Sequence, residues 1–371
     1  MTKALMTASA GICAILGAST AQDVGESQTR SAAVDTASAP TSSPLTLRGP
    51  YAQDYMIADL GHQHEGGDGS AGAPAPSPAL RGAHEDILAA GQPREDSWLQ
   101  VRLDGEQSPH PVWHASALPG GAIELSANES FALSMDGEII AGAAKSHRWT
   151  APEDPGVHTL RAFNSDGEQQ YLSVFVLKPR SGQTVLEGYR IGTYPADAPD
   201  GFIRLTEADM DAPVSPSFEI GQFICKQQIG HWPKFLVISG DMLERLELLL
   251  ETLNAEGRTN ADTFFIMSGF RTPFYNTAIG SARRSRHMYG DASDIYPDVE
   301  GGDSVMDDLN GDGRITREDA EWLYDYADDL FKDSDDVVAG GIGAYGANAV
   351  HGPFVHVDGR GSAARWGRYG S

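Results

Sequence analysis

The spacing of apolar residues divides the chain into a strand-rich part and a later part that mixes helix and strand. Residues 241–256 carry leucine and methionine at helical intervals, which predicts an amphipathic helix. Its apolar face comprises Met242, Leu246, Leu249 and Leu253. Asp241 is the expected cap, Glu244 would complete a capping box, and Gly257 is expected to end the helix.

Residues 95–180 alternate in the way of strands that are buried on one side. The predicted strands include 98–103, 122–127 and 171–177. Turn signals rich in Asp, Gly and Pro separate them. Short strands at this spacing predict an all-β, immunoglobulin-like sandwich that serves as a spacer or binding module. From 181 to 371, helix and short strands such as 263–267 predict an α+β domain.

The first 93 residues have the composition of a signal peptide followed by a disordered segment. Lys3, a short apolar run and the small residues of 19–21 are typical of a signal peptide covering 1–21. An uncleaved anchor is the alternative reading, and Cys13 leaves a lipid attachment open. Residues 22–93 are rich in Ala, Ser, Pro and Gly, so they are predicted to form a disordered tether. Localisation is therefore expected to be secreted or periplasmic, in the cell envelope.

Charge narrows the classes of partner. The 371 residues include 27 Lys and Arg against 52 Asp and Glu, a net charge of -25. This balance argues against a nucleic-acid partner and against docking on an anionic membrane. No stable membrane insertion is expected once the signal is removed. Cys225 would then remain as a single thiol in an apolar context, which indicates a buried structural residue.

Three segments of the last domain contain residues that suit a metal centre. They are Ser268-Gly269-Phe270-Arg271, then Ser285-Arg286-His287-Met288-Tyr289-Gly290-Asp291-Ala292-Ser293-Asp294, and Phe354-Val355-His356-Val357-Asp358. His287, Asp294 and His356 would supply two imidazoles and one carboxylate, which is a set that zinc accepts. Gly290 suits a turn into a strand, and period-two alternation places His356 on the face of Asp358. From spacing alone, the two histidines and the aspartate could also occur near one another by chance.

Together and in this order, the three segments resemble the zinc D-Ala-D-Ala carboxypeptidase and murein endopeptidase family. That family is related to lysostaphin-type peptidases and to the hedgehog signalling domain. The resemblance covers roughly residues 215–371 and is nearest to the periplasmic murein endopeptidase branch. It implies a small antiparallel sheet with flanking helices, and a zinc peptidase that acts on peptidoglycan. It also implies that His287, Asp294 and His356 are the zinc ligands.

The resemblance extends to residues around the proposed zinc. Arg271 takes the position of an arginine that faces the scissile carbonyl or a substrate carboxylate, with a structural ion pair as the alternative. Ser285 and Asp291 are expected to orient ligands or substrate, or else simply to pack beside them. Asp358 is expected to hold a ligand imidazole.

One position departs from the family pattern. Many members carry an acidic base three residues before the second zinc histidine, and Pro353 occupies that position here. His351 is the candidate for the missing proton-transfer role. A histidine in a solvent-exposed loop is the competing reading.

A second metal motif lies at residues 308–319. Its spacing matches the calcium loop of the EF-hand, with oxygen ligands at alternate positions and glycine at the sixth. The predicted ligands are Asp308, Asn310, Asp312, Asp319 and, at the seventh position, Arg314. The alternative is a turn that caps a helix at Thr316. One loop without a partner hand favours a structural calcium over a signalling one, and disfavours a dockerin-like attachment.

The predicted function is therefore zinc-dependent hydrolysis of peptide bonds in peptidoglycan stems or cross-links. Both endopeptidase and D-Ala-D-Ala-type carboxypeptidase activity remain open. The rival prediction is a catalytically silent, zinc-bound module that binds peptidoglycan or a protein, because Pro353 cannot act as a base. The sequence does not identify a partner for the β-rich module.

Overall fold

The structure is a computed structural model that describes residues 98–299 and 304–367. The predicted signal peptide and tether lie outside the described residues. In the part of the chain that is described, no helix is long and apolar enough to cross a membrane. The architecture mixes helix and strand, with far more strands than helices.

The described chain begins with a β-rich region, as the alternation predicted. Its strands are β1 (Arg102–Leu103), β2 (Glu106–Gln107), β3 (Val112–Ala117), β4 (Ala122–Met135), β5 (Glu138–Thr150), β6 (Gly156–Phe163) and β7 (Gln169–Val176). They form one seven-stranded sheet in the order β2-β1-β4-β6-β7-β3, with β5 paired to β4. The β3–β7 pair is parallel. The immunoglobulin-like character of this region is not confirmed.

The long strand β4 explains why a single sheet forms. Its first half pairs with β1 and its second half with β6, while β5 follows its other edge through three register shifts. The strand predicted at 98–103 is shorter than expected and covers only β1. Leu99 and Val101 are buried without sheet pairing, so their alternation reflects burial in the core.

Short strands then connect this sheet to the rest of the chain. They are β8 (Lys178–Pro179), β9 (Val185–Leu186), β10 (Tyr189–Arg190), β11 (Gly201–Leu205) and β12 (Lys234–Leu236). The hydroxyl of Ser173 donates to the carbonyl of Pro213 at 2.6 Å, and the ring of His114 lies 3.0 Å from the carbonyl of Val214. The apolar core is continuous through both parts, and Cys225 is buried within it as expected.

The predicted long helix is present as α1 (Gly240–Ala255). Its apolar face is buried as predicted, and Gly257 follows it with φ +65°. The capping prediction was wrong. The N-cap residue is Ser239, two residues before Asp241, because the helix starts as soon as the chain leaves the loop after β12.

The last sheet carries the predicted site. Its strands are β13 (Phe265–Ser268), β14 (Ala292–Tyr296), β15 (Gly341–Tyr345), β16 (Phe354–Asp358) and β17 (Ala364–Trp366), in the order β13-β14-β16-β15-β17. The sheet is antiparallel except for the parallel β15–β17 pair. Two further helices are α2 (Pro273–Ala278) and α3 (Arg317–Asp333), and both α1 and α3 contact β16. Short 3-10 helices occupy Glu207–Asp209, Ile220–Phe223 and Arg286–Tyr289.

Candidate metal centre

One row of residues crosses all five strands of the C-terminal sheet. Ser268 pairs with Asp294, Asp294 pairs with His356, and His356 pairs with Gly343. Gly343 pairs in turn with Trp366. Paired residues in adjacent strands project to the same face of a sheet. Strand pairing therefore brings Asp294 and His356 together, although 61 residues separate them in the chain.

His287 joins this row from a neighbouring turn. It lies in the 3-10 helix that precedes β14, and Gly290 closes that helix with φ +70°. A β-carbon on Gly290 would lie 2.2 Å from the carbonyl oxygen of Val237. A β-carbon on Gly269 would lie 2.6 Å from Cα of Phe223. Both glycines therefore allow close backbone contacts that larger residues would prevent.

Three buried side chains direct one atom each to a common point. Nε2 of His287 lies 3.2 Å from Nδ1 of His356 and 3.3 Å from Oδ1 of Asp294. Nδ1 of His356 lies 2.9 Å from the same carboxylate oxygen. Among the described residues, this is the one group of three histidine, cysteine or acidic ligand atoms within 4.8 Å of one another.

The outer hydrogen bonds assign the tautomers of both rings. Nδ1 of His287 donates to the carbonyl of Gly269 at 2.7 Å, so Nε2 carries the lone pair in the neutral ring. Nε2 of His356 donates to Oδ2 of Asp358 at 3.0 Å, which leaves the lone pair on Nδ1. Three lone pairs therefore face one another, with Asp294 as the third. This arrangement is repulsive unless a metal cation occupies the centre or a proton on Nδ1 of His356 bridges it to Asp294.

The spacing of the three atoms fits zinc. Tetrahedral bonds of about 2.0–2.1 Å to nitrogen and oxygen hold neighbouring ligand atoms about 3.3 Å apart. The observed separations of 2.9, 3.2 and 3.3 Å are close to that value. Two imidazoles and one carboxylate also match the chemistry of catalytic zinc sites, which keep a fourth position open.

Charges around the centre favour the ligand forms of His287 and Asp294, whereas in the absence of a metal they favour the protonated form of His356. Burial lowers the pKa of His287 to about 4, so its ring is neutral at neutral pH. Burial opposes the charge of Asp294, but His287 and Arg271 hold the pKa of that carboxyl well below its usual range. Burial lowers the pKa of His356, and its bonds to Asp294 and Asp358 raise it by more, so it is raised overall.

Asp358 accepts the hydrogen bond from His356, and it is itself held in place. Its Oδ1 accepts from the backbone N–H of Gly341 at 2.8 Å, and the guanidinium of Arg360 donates to both carboxylate oxygens. Burial raises the pKa of Asp358, but the bonds from His356 and Arg360 dominate and lower it. A β-carbon on Gly341 would lie 2.3 Å from Oδ2, so this strand position requires glycine.

Arg271 forms an ion pair with Asp294, which is the alternative role that the sequence left open for it. Its guanidinium donates to Oδ2 of Asp294, the oxygen that points away from the two imidazoles. Its Nε donates to the hydroxyl of Ser268 at 2.7 Å, and Nη1 lies 3.5 Å from that of Ser281. The side chain is 14% exposed. Contact with a substrate stays a prediction.

Ser285 and Asp291 flank the turn that carries His287. Ser285 is buried and is the N-cap residue of the 3-10 helix. Asp291 is buried and paired with Arg286, and its backbone carbonyl accepts from Gly359 at 2.9 Å. In these contacts both residues support the backbone on either side of the turn.

His351 lies in the loop before β16, outside the three-residue group. Its Nδ1 donates to the carbonyl of Gly352 at 2.7 Å, and its Nε2 accepts from the side-chain amide of Asn348 at 2.7 Å. The ring packs edge-on against Phe354 with centroids 4.9 Å apart. His351 therefore borders the face that carries His356, through an intervening aromatic ring.

Sequence reasoning missed Tyr345 and gave no role to Trp366. The indole of Trp366 lies 5.0 Å from the ring of His356, centroid to centroid, and its Nε1 donates to the hydroxyl of Tyr345 at 2.7 Å. The available signal was the alternation of Gly341, Gly343 and Tyr345 in one strand. Two glycines in a strand mark close neighbours on the face that they share with the third residue.

The predicted calcium loop folds as a tight turn before α3. Asp308 accepts from the backbone N–H of Gly311 at 2.8 Å and of Gly313 at 2.6 Å. Asp319 is fully buried and accepts from the N–H of Thr316 at 2.7 Å. Thr316 also caps α3, as the alternative reading expected.

Further side-chain bonds within the loop follow the same pattern. Asn310 accepts from the N–H of Asp312 at 2.9 Å, and Asp312 accepts from that of Arg314 at 2.8 Å. These hydrogen bonds describe a folded turn. Calcium binding stays a prediction.

The comparison with known protein families matches one part of the chain. Residues 237–305 match the Peptidase M15 family model, a segment that includes His287 and Asp294 but ends before His356. This match supports a zinc-dependent metallopeptidase of that family, whereas it does not identify a branch or a substrate. No curated protein matches the chain.

Three solved structures show limited likeness. The fibronectin(III)-like modules of Clostridium thermocellum CbhA are 20% identical, with TM-score 0.15, over 20% of this chain and 94% of theirs. Bacteroides ovatus SGBP-B, in complex with a mixed-linkage heptasaccharide, is 13% identical, with TM-score 0.14, over 19% and 25%. A nucleoside hydrolase-related protein from Saccharophagus degradans is 16% identical, with TM-score 0.15, over 24% and 28%. Scores this low carry no argument about fold or function.

Proposed function

We propose that this protein is an exported zinc peptidase that hydrolyses peptide bonds in the stems or cross-links of peptidoglycan. The observation that carries the proposal is the set of three buried lone pairs from His287, Asp294 and His356, which face one another at zinc-ligand spacing. The Peptidase M15 match over residues 237–305 supports the same class of enzyme independently.

Each residue of the centre has a proposed task. His287, Asp294 and His356 hold the zinc, and Asp358 keeps His356 in the tautomer that binds it. Bound zinc would acidify a water molecule and polarise the peptide carbonyl.

Two residues at the edge of the centre have proposed roles in binding and proton transfer. Arg271 orients Asp294 through the ion pair, and its Nη1, which makes a long bond of 3.5 Å to the Ser281 hydroxyl, would donate to a substrate carbonyl or carboxylate. His351, in the loop before β16, transfers protons once its Nε2 has broken the hydrogen bond to Asn348. We expect His351→Ala to lower kcat by about 100-fold without loss of zinc, and unchanged turnover would make His351 an ordinary loop residue.

The substrate, peptidoglycan, and the location, the cell envelope, are also part of the proposal. The signal-like segment 1–21 and the Ala/Ser/Pro/Gly-rich segment 22–93 suit an exported, tethered protein. The resemblance to the murein endopeptidase branch supports a cross-linked peptide as substrate. Net charge of -25 is unfavourable for nucleic acid, and no partner is proposed for the β-rich region.

A catalytically silent, zinc-bound module is the second candidate, and one residue favours it. Pro353 stands three residues before His356, where many members of the resembled family have an acidic base. Such a module would bind peptidoglycan or a protein without cleaving it. The two candidates differ in turnover, and they share the metal.

The deciding experiment uses the mature protein with intact peptidoglycan. Released fragments are analysed by mass, with and without a zinc chelator, and His356→Ala serves as the variant that lacks a ligand. We expect chelator-sensitive loss of cross-links or of a terminal D-Ala. A folded, zinc-loaded protein that binds peptidoglycan without cleaving it would move the assignment to the silent module.

Calcium at residues 308–319 is a further part of this proposal. The twelve-residue spacing and Gly313 at the sixth position support it. Because the loop ends in the first turn of α3, which contacts β15 and β16, its role would be structural.

A further inference from the structure

Tyr345 ends the strand that lies beside His356. In the β15–β16 pair, Tyr345 pairs with Phe354 and Gly343 pairs with His356. Residues two apart in a strand project to the same face, so Tyr345 shares the face of the metal centre. It is 37% exposed, and its hydroxyl contacts the indole of Trp366, whose ring lies 5.0 Å from the ring of His356, so the hydroxyl borders the centre.

The hydrogen bond from Trp366 leaves the phenol proton of Tyr345 free. An indole N–H can only donate, so the tyrosine oxygen accepts the 2.7 Å bond from Nε1. The phenol proton must therefore point elsewhere. Among residues 98–299 and 304–367, no acceptor within hydrogen-bond distance takes it.

The two rings around Tyr345 restrict where that proton can point. Phe354 stacks on the tyrosine ring with centroids 4.5 Å apart and planes 9° from parallel. Trp366 lies flat over Gly343, where a β-carbon would come within 2.2 Å of its Nε1. Arg365, the residue before it, is anchored to Asp328 and to the carbonyl of Gly340. The phenol of Tyr345 is therefore already oriented before a substrate binds.

The Tyr345 phenol keeps its proton at neutral pH. Burial outweighs the bond from Trp366, which by itself favours the ionised phenol and lowers its pKa. Burial is the main cause of the raised pKa of Tyr345, and Asp294 adds to it. The phenol is consequently a neutral donor throughout the neutral pH range.

We propose that the Tyr345 hydroxyl is a catalytic hydrogen-bond donor that contacts the carbonyl oxygen of the scissile peptide bond. This inference rests on the proposed peptidase function. The phenol keeps its proton, and its bond to the carbonyl oxygen strengthens as negative charge develops there during attack by water. Trp366 acts as a positioning residue, because its indole N–H fixes the tyrosine oxygen.

The test compares Tyr345→Phe with the wild-type protein in the zinc-loaded, full-length form. The variant keeps the stacked ring and removes only the hydroxyl. We expect kcat on cross-linked peptidoglycan fragments to fall by about 100-fold or more, as for one lost oxyanion donor, with KM within about twofold. Zinc content and melting temperature should not change. Tyr326→Phe, on α3, is the matched control and should keep wild-type kcat.

A second measurement separates this inference from the proposed substrate. A phosphinate pseudodipeptide has a tetrahedral, anionic centre in place of the peptide carbonyl, and its affinity is measured by calorimetry. Tyr345→Phe should weaken its binding at least 10-fold, and Trp366→Phe should weaken it less. If the wild type binds the phosphinate in this tyrosine-dependent way but leaves peptidoglycan intact, the peptidoglycan proposal fails and the role of Tyr345 stands.

Two results would overturn the inference. One is a Tyr345→Phe protein with wild-type kcat and wild-type phosphinate affinity. The other is a zinc-loaded wild type that neither cleaves peptidoglycan fragments nor binds the phosphinate, in which case the proposed function fails as well. A rise in KM without a fall in kcat would also count against a donor that acts on developing charge.

Discussion

Gly343 and Trp366 pack so closely that a β-carbon on the glycine would lie 2.2 Å from Nε1 of the indole. Gly343 is also the cross-strand partner of His356. The absent side chain thus allows the indole to lie beside a proposed zinc ligand and to orient Tyr345. The geometry of the centre depends on this strand glycine as well as on the residues that touch the metal.

Gly343→Ala should therefore damage the centre without removing any ligand. Because Nε1 belongs to a rigid ring, the indole must move, and we expect kcat to fall more than 10-fold, with a stability loss of about 1–3 kcal/mol from overpacking. Turnover and chemical unfolding measure the two effects. Gly142→Ala in β5, where a β-carbon meets no atom within 4 Å, is the control. Equal behaviour of the two variants would contradict the role of Gly343.

Asp358→Asn should weaken zinc binding. The carboxylate accepts from Nε2 of His356 at 3.0 Å and so fixes the ligand tautomer, whereas an amide can present a donor instead. Loss of such a partner lowers metal affinity by about 10–100-fold, which competition with a chromogenic chelator can measure.

The control for this variant is another aspartate–histidine pair. Asp136 lies 2.9 Å from His158 in the β-rich region, and Asp136→Asn should leave zinc affinity unchanged. Wild-type affinity in Asp358→Asn would show that the carboxylate is not needed to hold His356.

Glu247 should make the fold less stable as pH rises. It is buried in α1, and burial raises its pKa from 4.5 to about 7, against the opposing bonds from Ser215 and Ser217. Between these values the folded chain keeps a proton that the unfolded chain loses. Stability should therefore fall by about 3 kcal/mol as pH rises from about 4.5 to about 7.

Glu247→Gln should remove this part of the pH dependence. Urea unfolding at several pH values from 4.5 to 8 gives the free energy of unfolding of each protein. The difference between variant and wild type should grow in favour of the variant across that range. Glu153→Gln, at an exposed position, should follow the wild-type curve. A constant difference for Glu247→Gln would contradict a raised pKa.

Calcium should raise the melting temperature of the wild-type protein. A ligand that binds only the folded state raises the free energy of unfolding by about 2.7 kcal/mol at a concentration of 100 times Kd. Asp312→Ala removes one proposed ligand and should abolish most of the shift. Asp335→Ala, which removes another exposed carboxylate, should keep it. If calcium shifts none of the proteins, or shifts Asp312→Ala as much as the wild type, residues 308–319 are only a turn.

The sequence was sufficient for features that depend on near neighbours. The buried face of α1, its end at Gly257 and the turn at Gly290 all follow from spacing and backbone preference. The three short segments also identified the residues that converge, because each motif contains its own ligand and the glycine or strand that presents it. Local interactions act over a few residues, so a local pattern records them.

Tertiary structure decided everything that depends on which strands meet. The N-cap at Ser239, the parallel β3–β7 and β15–β17 pairs and the ion pair between Arg271 and Asp294 have no local signature. The row from Ser268 to Trp366 exists only because five strands pair in one register. Register is set by how whole faces bury against the helices, and that same packing brings Tyr345 to the face of His356.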